Sequence, residues 1–153
     1  MTAVPESIER ETLIAAPVER VWKVLTEADH LGTWFGDAGA EIDLRPGGTL
    51  VLRWVEHGTV HGRVERVEPE RFIAYRWAAR RDTGDIELVD GNSTLVEFSL
   101  SPEGDDTRLR VIESGFSSLD LPPDEQADKA RGNREGWDIK LGDLRDHARR
   151  LKV

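Results

Sequence analysis

The spacing of the apolar residues changes twice along this chain of 153 residues, and those changes limit the fold more than any other feature. Near the start, apolar side chains recur at the helical spacing of Val18, Val21, Trp22 and Leu25. Through the middle they alternate with polar residues, as in the segment "AEIDLR" at residues 40–45, and near the end a helical spacing returns. Alternation is typical of strands with one buried face, so the sequence predicts helices at both ends and strands between them.

Two short helices are expected after a first strand in the segment "SIERETLIA" at residues 7–15. Pro17 suits the first turn of one helix, because proline is tolerated there. Trp34 and Phe35 belong to a second short helix, which we expect to end at Gly36.

A long helix is predicted at the C-terminal end, after the segment "LPP" at residues 121–123. Its apolar stripe has spacings of three and four residues and consists of Trp137, Leu141, Leu144, Ala148 and Leu151. Three glycines in this helix each lower its stability by about 1 kcal/mol relative to alanine. They indicate a close approach by another group or a local bend, and they are Gly132, Gly136 and Gly142.

The order of these elements predicts an α+β fold in a single domain over residues 1–153. Consecutive strands with short turns pair as antiparallel neighbours, which gives a curved sheet of about seven strands. Because the concave face of such a sheet must be buried, we expect it to wrap around the long C-terminal helix.

Composition excludes several classes of partner and site. Acidic residues outnumber basic ones by 30 to 21, and the net charge of -9 argues against binding to nucleic acid or anionic membranes. The chain has no cysteine, and the spacing of His57 and His61 matches no zinc motif, so we predict no metal and no cofactor. No segment has the features of a signal peptide or a membrane span, so a cytoplasmic location is expected.

Several segments resemble the START-like, or SRPBCC, superfamily and its helix-grip fold. Within it, the chain is most similar to the bacterial family named after homologues of the activator of the heat-shock protein 90 ATPase. The segments are the "GG" turn at Gly47–Gly48, "IAAPVERVWKVLTEADHLGTWFG", "GRVERVEPERFIAYRW", "STLVEFSL", "TRLRVIESGF" and "GWDIKLGDL". The resemblance implies a hydrophobic cavity between the sheet and the long helix, with a small hydrophobic molecule as partner.

The resemblance leaves the substrate open, because the superfamily includes lipid carriers, hormone receptors, polyketide cyclases and co-chaperones. The eukaryotic activator has a separate N-terminal domain that contributes to chaperone binding, and this sequence has no room for one. We therefore expect no activation of the chaperone. The sequence leaves homodimer formation open.

Alternation and the helical stripe predict which side chains face the cavity. Most of these residues are aromatic, and several carry a polar N–H or O–H group, as is common in small-molecule pockets. The alternative is that the same side chains fill an ordinary core. The predicted lining consists of Trp34, Phe35, Trp54, Tyr75, Trp77, Phe98, Phe116, Trp137 and Leu141, with Glu113 as the polar anchor.

Glu113 is the sharpest single prediction. It continues the alternation of Leu109 and Val111, so its side chain should point inward. A buried carboxylate needs hydrogen bonds, a cation or a proton, because burial disfavours its charged form. In the alternative interpretation, the strand ends earlier and Glu113 lies in solvent.

The leading functional hypothesis is non-enzymatic binding of a small apolar or amphipathic molecule. One alternative is a cyclase-like or hydrolase-like enzyme that uses Glu113, Tyr75 or a histidine as acid and base. Another is a protein-interaction module that binds its partner through the outer surface. His30 and His147 are expected at the surface.

Overall fold

The computed structural model describes residues 4–84 and 86–151 of the chain. Seven strands form one antiparallel sheet in the order β1-β7-β6-β5-β4-β3-β2. Their bounds are β1 Ser7–Ile14, β2 Ala40–Ile42, β3 Thr49–Trp54, β4 Gly58–Glu68, β5 Phe72–Ala78, β6 Ser93–Glu103 and β7 Asp106–Ser114. Neighbouring strands in the sheet are also consecutive in the sequence, as expected for strands joined by short turns. The pair of β1 and β7 is the exception.

Three helices accompany the sheet. Helix α1 covers Val18–Thr26, and α2 covers Ala28–His30 and continues directly into a π-helical turn at Leu31–Phe35. After β7, a short 3₁₀ turn leads to the long helix α3, Pro123–Arg150. This is the predicted α+β helix-grip architecture, in which a curved antiparallel sheet packs on a long C-terminal helix.

The core lies between the concave face of the sheet and α3. The alternating strand residues that we expected to face inward are buried there, among them Leu52, Val96 and Leu109. From α3, the stripe residues Trp137 and Leu144 pack against them. The predicted inward face of the sheet is therefore confirmed.

The strand expected at residues 40–45 is shorter than predicted. It ends at Ile42, and Leu44 is 38% exposed just before the turn at Arg45–Gly48. Gly48 closes this turn so tightly that a Cβ atom there would lie 1.9 Å from the backbone oxygen of Asp43. Only glycine fits that position.

No described part of the chain makes the close approach that was one of the two explanations for the glycines of α3. A Cβ atom at Gly132, Gly136 or Gly142 would meet no atom of the described residues within 4 Å outside the neighbouring helix backbone. These positions therefore border open space.

None of the described helices is both long and apolar enough to cross a lipid bilayer.

Candidate functional site

A cleft of about 200 Å³ lies between α3 and the ends of strands β3, β4 and β5. We call it the aromatic cleft, because its walls are mainly aromatic and small apolar residues. Its wall residues are Phe35, Trp54, Val60, Trp77, Ala78, Ala79, Gly132, Gly136 and Trp137. Its polar lining consists of His57, Arg81, Lys129, Asn133 and Lys140.

The aromatic rings of the cleft pack against one another. Trp77 and Trp137 are stacked, with 5.7 Å between ring centroids and 22° between ring planes. Phe35 meets Trp54, Trp77 and Trp137 edge to face, at centroid distances of 5.8, 5.7 and 5.6 Å. Each such contact contributes about 0.5–1.5 kcal/mol beyond the buried area, so these rings support one another's positions.

Glu113 lies behind this aromatic wall and is 0% exposed. Its Oε1 accepts a hydrogen bond from Trp137 Nε1 at 2.9 Å, and its Oε2 accepts from Trp77 Nε1 at 2.9 Å and Thr94 Oγ1 at 2.5 Å. Asn133 Nδ2 donates to both oxygens, at 3.1 and 3.0 Å. Four neutral side chains thus supply the hydrogen bonds that a buried carboxylate requires.

The inward orientation predicted for Glu113 is confirmed, and the alternative of a solvent-exposed strand end is wrong. The carboxylate is not among the residues that line the aromatic cleft. Instead it fixes the indole rings of Trp77 and Trp137, which form the wall of the cleft. The geometry therefore favours a positioning role over direct contact with a ligand.

A second hollow of only about 10 Å³ lies deeper in the core. Among the predicted lining residues, Trp34, Phe35, Tyr75 and Phe98 border it, so Phe35 separates it from the aromatic cleft. This volume holds at most about one water molecule. The structure thus divides the single predicted cavity into an outer cleft and a nearly filled interior.

The Tyr75 hydroxyl is buried and has no hydrogen-bond partner among the described residues. Burial raises the pKa of Tyr75 well above its usual value, and the nearby charge of Glu113 raises it further. The phenol therefore keeps its proton over the physiological range. This argues against Tyr75 as a catalytic base.

Two predicted lining residues lie elsewhere in the core. Phe116 is 0% exposed and Leu141 is 5% exposed, and neither borders the aromatic cleft or the inner hollow. Of the ten predicted site residues, the aromatic cleft brings together Phe35, Trp54, Trp77 and Trp137.

Sequence reasoning missed the polar side of the cleft. On α3, Lys129, Asn133 and Lys140 stand eight and four residues before and three residues after Trp137, which is helical spacing. Extending the stripe of Trp137 in both directions along α3 would have found them. Arg81 follows β5 in a segment without regular spacing, so no pattern in the sequence indicates that it borders the cleft.

The lining of the cleft is cationic. Arg81, Lys129 and Lys140 border it, and no carboxylate does so among the residues described, although the whole chain has a net charge of -9. The guanidinium of Arg81 lies over the ring of Trp54, 5.8 Å from its centroid. Burial lowers the pKa of Lys129, while the charge of Glu113 opposes that shift and the charge of Arg81 adds to it.

No group of three His, Asp or Glu side chains that could hold a metal ion is found within residues 4–84 and 86–151. His57 borders the aromatic cleft, whereas His61 lines a separate groove beside the turn at Gly47–Gly48. The prediction of no metal and no cofactor stays a prediction.

Comparison with protein families gives a match over most of the chain. The family model described as "Activator of Hsp90 ATPase homolog 1-like protein" matches residues 15–148. A protein of Streptomyces cyaneus named "Putative polyketide cyclase" is 28% identical over 123 residues, which are 76% of this chain and 77% of that protein.

Solved structures share the fold. Protein MLL2253 from Mesorhizobium loti has a TM-score of 0.77 at 23% identity, over 96% of this chain and 99% of that one. The Aha1 dimer from Colwellia psychrerythraea has a TM-score of 0.73 at 20% identity, over 96% and 98% of the two chains. At these identities the structural likeness supports the fold alone.

Proposed function

This chain belongs to the family of activator of Hsp90 ATPase homolog 1-like proteins, and on that premise we propose that its aromatic cleft binds one small apolar or amphipathic molecule. A fold of this family suggests a ligand-binding or cyclase-like role. The observation that carries the proposal is open space between the stacked indoles and the two bare glycine positions of α3, Gly132 and Gly136. No catalytic step is part of it.

The size of the cleft limits the ligand. An apolar cavity of about 150 Å³ is known to hold benzene, so a cleft of about 200 Å³ suits a molecule of one or two rings. Larger ligands such as sterols or long acyl chains would extend into solvent. Aromatic walls with few polar groups are typical of small-molecule sites, which supports this interpretation.

The glycines of α3 supply a second argument. Each destabilises the helix by about 1 kcal/mol relative to alanine, and no described part of the chain fills the space beside Gly132 or Gly136. Both positions border the aromatic cleft. A ligand that lies against the helix backbone accounts for the absence of side chains there.

The proposal is tested by filling the cleft from α3. Gly136→Leu places a side chain in the open space, and Gly142→Leu makes the same change on the same helix outside the cleft lining. We expect uncharged 2-naphthamide to bind the wild type and Gly142→Leu, and its affinity for Gly136→Leu to fall by at least about tenfold, the equivalent of about 1.4 kcal/mol.

Isothermal titration calorimetry measures these affinities, and circular dichroism checks that both variants keep the wild-type helix content. Equal affinity of the two leucine variants would show that the probe binds elsewhere. No heat of binding in the wild type up to the solubility limit, with either 2-naphthamide or its carboxylate analogue 2-naphthoate, would overturn the proposal directly.

A cyclase-like enzyme is the second candidate, and the name of the Streptomyces relative favours it. Its acid and base would have to reach the cleft, and His57 and Lys129 are titratable groups that border it. Such an enzyme would lose turnover of a polyketone substrate in Lys129→Met or His57→Asn. Binding of the uncharged 2-naphthamide would survive in both variants.

The remaining expectations stay predictions. They are a single domain over residues 1–153, a cytoplasmic location, the absence of chaperone activation, and no partnership with nucleic acid or a membrane. The Colwellia protein is a dimer, and this supports homodimer formation by the present chain as a further proposal. Sedimentation equilibrium would measure the oligomeric state.

A further inference from the structure

The charges around the aromatic cleft point to a ligand with an anionic group, although the protein itself is acidic. Its lining includes three cationic side chains and, among the described residues, no carboxylate. The net charge of the chain is -9, so this local excess is opposite to the overall composition. We infer that the ligand is a flat aromatic carboxylate whose anionic group lies between Lys129 and Arg81; this inference rests on the proposed binding function.

Lys129 is the first element of the inference. It lies on the face of α3 that borders the cleft, and it forms no hydrogen bond or ion pair with the described residues. Glu113, the one fully buried carboxylate among the described residues, is already hydrogen-bonded to four neutral side chains. No group among residues 4–84 and 86–151 pairs with this ammonium, which can therefore bind an anionic ligand.

Arg81 supplies the second cation from the segment after β5. Its guanidinium lies over the indole of Trp54, which orients it along the wall of the cleft. The charge of Arg81 contributes to lowering the pKa of Lys129, so the two cations are close enough to repel each other. An anion between them would remove that repulsion and accept charge-assisted hydrogen bonds from both.

The shape of the cleft supports a flat ligand. Between Lys129 and Lys140, the helix presents Gly132 and Gly136 to the cleft, so a ring could lie directly against the helix backbone. The two lysines are separated along the helix axis by about 16 Å, which leaves room for a fused ring system beside them. Lys140 also lies 3.4 Å from Asp143, so its charge is partly neutralised and we assign the anion to the Lys129 end.

The test compares three naphthalene probes that differ only in charge: 2-naphthoate, 2-naphthamide and (2-naphthylmethyl)ammonium. We expect 2-naphthoate to bind the wild type about tenfold more tightly than 2-naphthamide, as for one added charge-assisted interaction. The ammonium probe should bind most weakly. Calorimetry at low ionic strength gives the three affinities, since salt screens such interactions.

Lys129→Met should reduce the preference for naphthoate over naphthamide to about one, while Lys129→Arg keeps it. Arg134→Met is the matched control, because Arg134 is an exposed cation on α3 outside the cleft lining. That control should retain the wild-type preference.

The outcomes separate the two proposals. Equal or weaker binding of naphthoate relative to naphthamide overturns the inference and leaves the binding function intact. A preference that Lys129→Met does not change also overturns it. If none of the three probes binds, the inference and the proposed function both fail.

Discussion

Glu113 is held inside the protein by neutral donors instead of a cation. Trp77, Trp137, Asn133 and Thr94 occupy its oxygens, and the donors come from β5, β6 and α3. The carboxylate therefore ties the sheet to the long helix at the level of the aromatic cleft. Because it fixes two indoles of the cleft wall, the wall is in place before any ligand binds, which favours binding.

Replacing Glu113 should disturb this arrangement even though the shape is preserved. In Glu113→Gln, the amide NH₂ replaces an acceptor, so at least one of the donors loses its partner. Each buried donor left unsatisfied costs about 1–3 kcal/mol, and we expect a loss of about 2 kcal/mol in the free energy of unfolding. Urea unfolding of the wild type and the variant measures this difference in the free energy of unfolding.

Glu97→Gln serves as the control on the neighbouring strand β6, because Glu97 has the opposite alternation and its side chain forms no hydrogen bond with the described residues. It should change stability by less than about 0.5 kcal/mol. Equal stability of Glu113→Gln and the wild type would contradict the positioning role assigned to Glu113.

The alternation of apolar and polar residues along the strands predicted the position of some site residues and not of others. It placed Glu113, Trp54 and Trp77 on the inner face of the sheet, because side chains on a strand alternate between its two faces. It could not separate a cleft from a filled core, since Tyr75 and Phe98 have the same alternation and border only the small inner hollow. Arg81 lies outside any regular element and could be found only from the structure.

Strands and helices were predicted more completely than the site. Five antiparallel pairs of consecutive strands, from β2–β3 to β6–β7, follow from alternation and short turns. The pairing of β1 with β7 instead depends on contact over a long sequence separation. Strand β4 has a bulge between Val64 and Arg66, which shifts the inner face from Val64 to Val67. Such a bulge changes the alternation without a clear signal in the sequence.

Helices α2 and α3 are joined by a pair of histidines that the sequence placed at the surface. His30 Nδ1 and His147 Nε2 are 3.0 Å apart, so one ring nitrogen donates to the other. Glu27 lies 3.7 Å from His30 Nε2 on the other side of the ring. Burial lowers the pKa of His147, and the charges of His30 and Arg150 lower it further.

This contact should make stability depend on pH. The folded state favours neutral His147, so its contribution is present above the unfolded-state pKa of about 6.5 and decreases as the pH falls toward the lowered folded-state pKa. We expect the wild type to lose stability between about pH 7 and pH 5, and His147→Gln to lose less by up to about 1 kcal/mol.

Thermal unfolding across that pH range measures the difference. His61→Gln is the matched control. His61 follows the inward-facing Val60 on β4, so its side chain lies on the outer face of the sheet, away from α3. A parallel pH dependence of His147→Gln and the wild type would contradict the assignment.

Over the whole molecule, charge and shape support the same account. The chain is acidic overall, yet the side chains with charge beside the aromatic cleft are cations. The long helix has glycines where it borders the open space of the cleft. The family fold provides a curved sheet and a helix, but the identities of the residues between them decide what binds. The central claim is that the open space between α3 and the indoles of Trp54, Trp77 and Trp137 is a ligand site.

The five tryptophans allow a direct measurement of that claim, because each indole N–H gives its own signal in a ¹H–¹⁵N NMR spectrum. On titration with 2-naphthoate, the signals of Trp54, Trp77 and Trp137 should move together. The signals of Trp22 and Trp34 should stay nearly fixed, since both residues are buried away from the cleft lining and Trp34 Nε1 donates to Val24. Unchanged signals for all five tryptophans, or shifts confined to Trp22 and Trp34, would contradict the account.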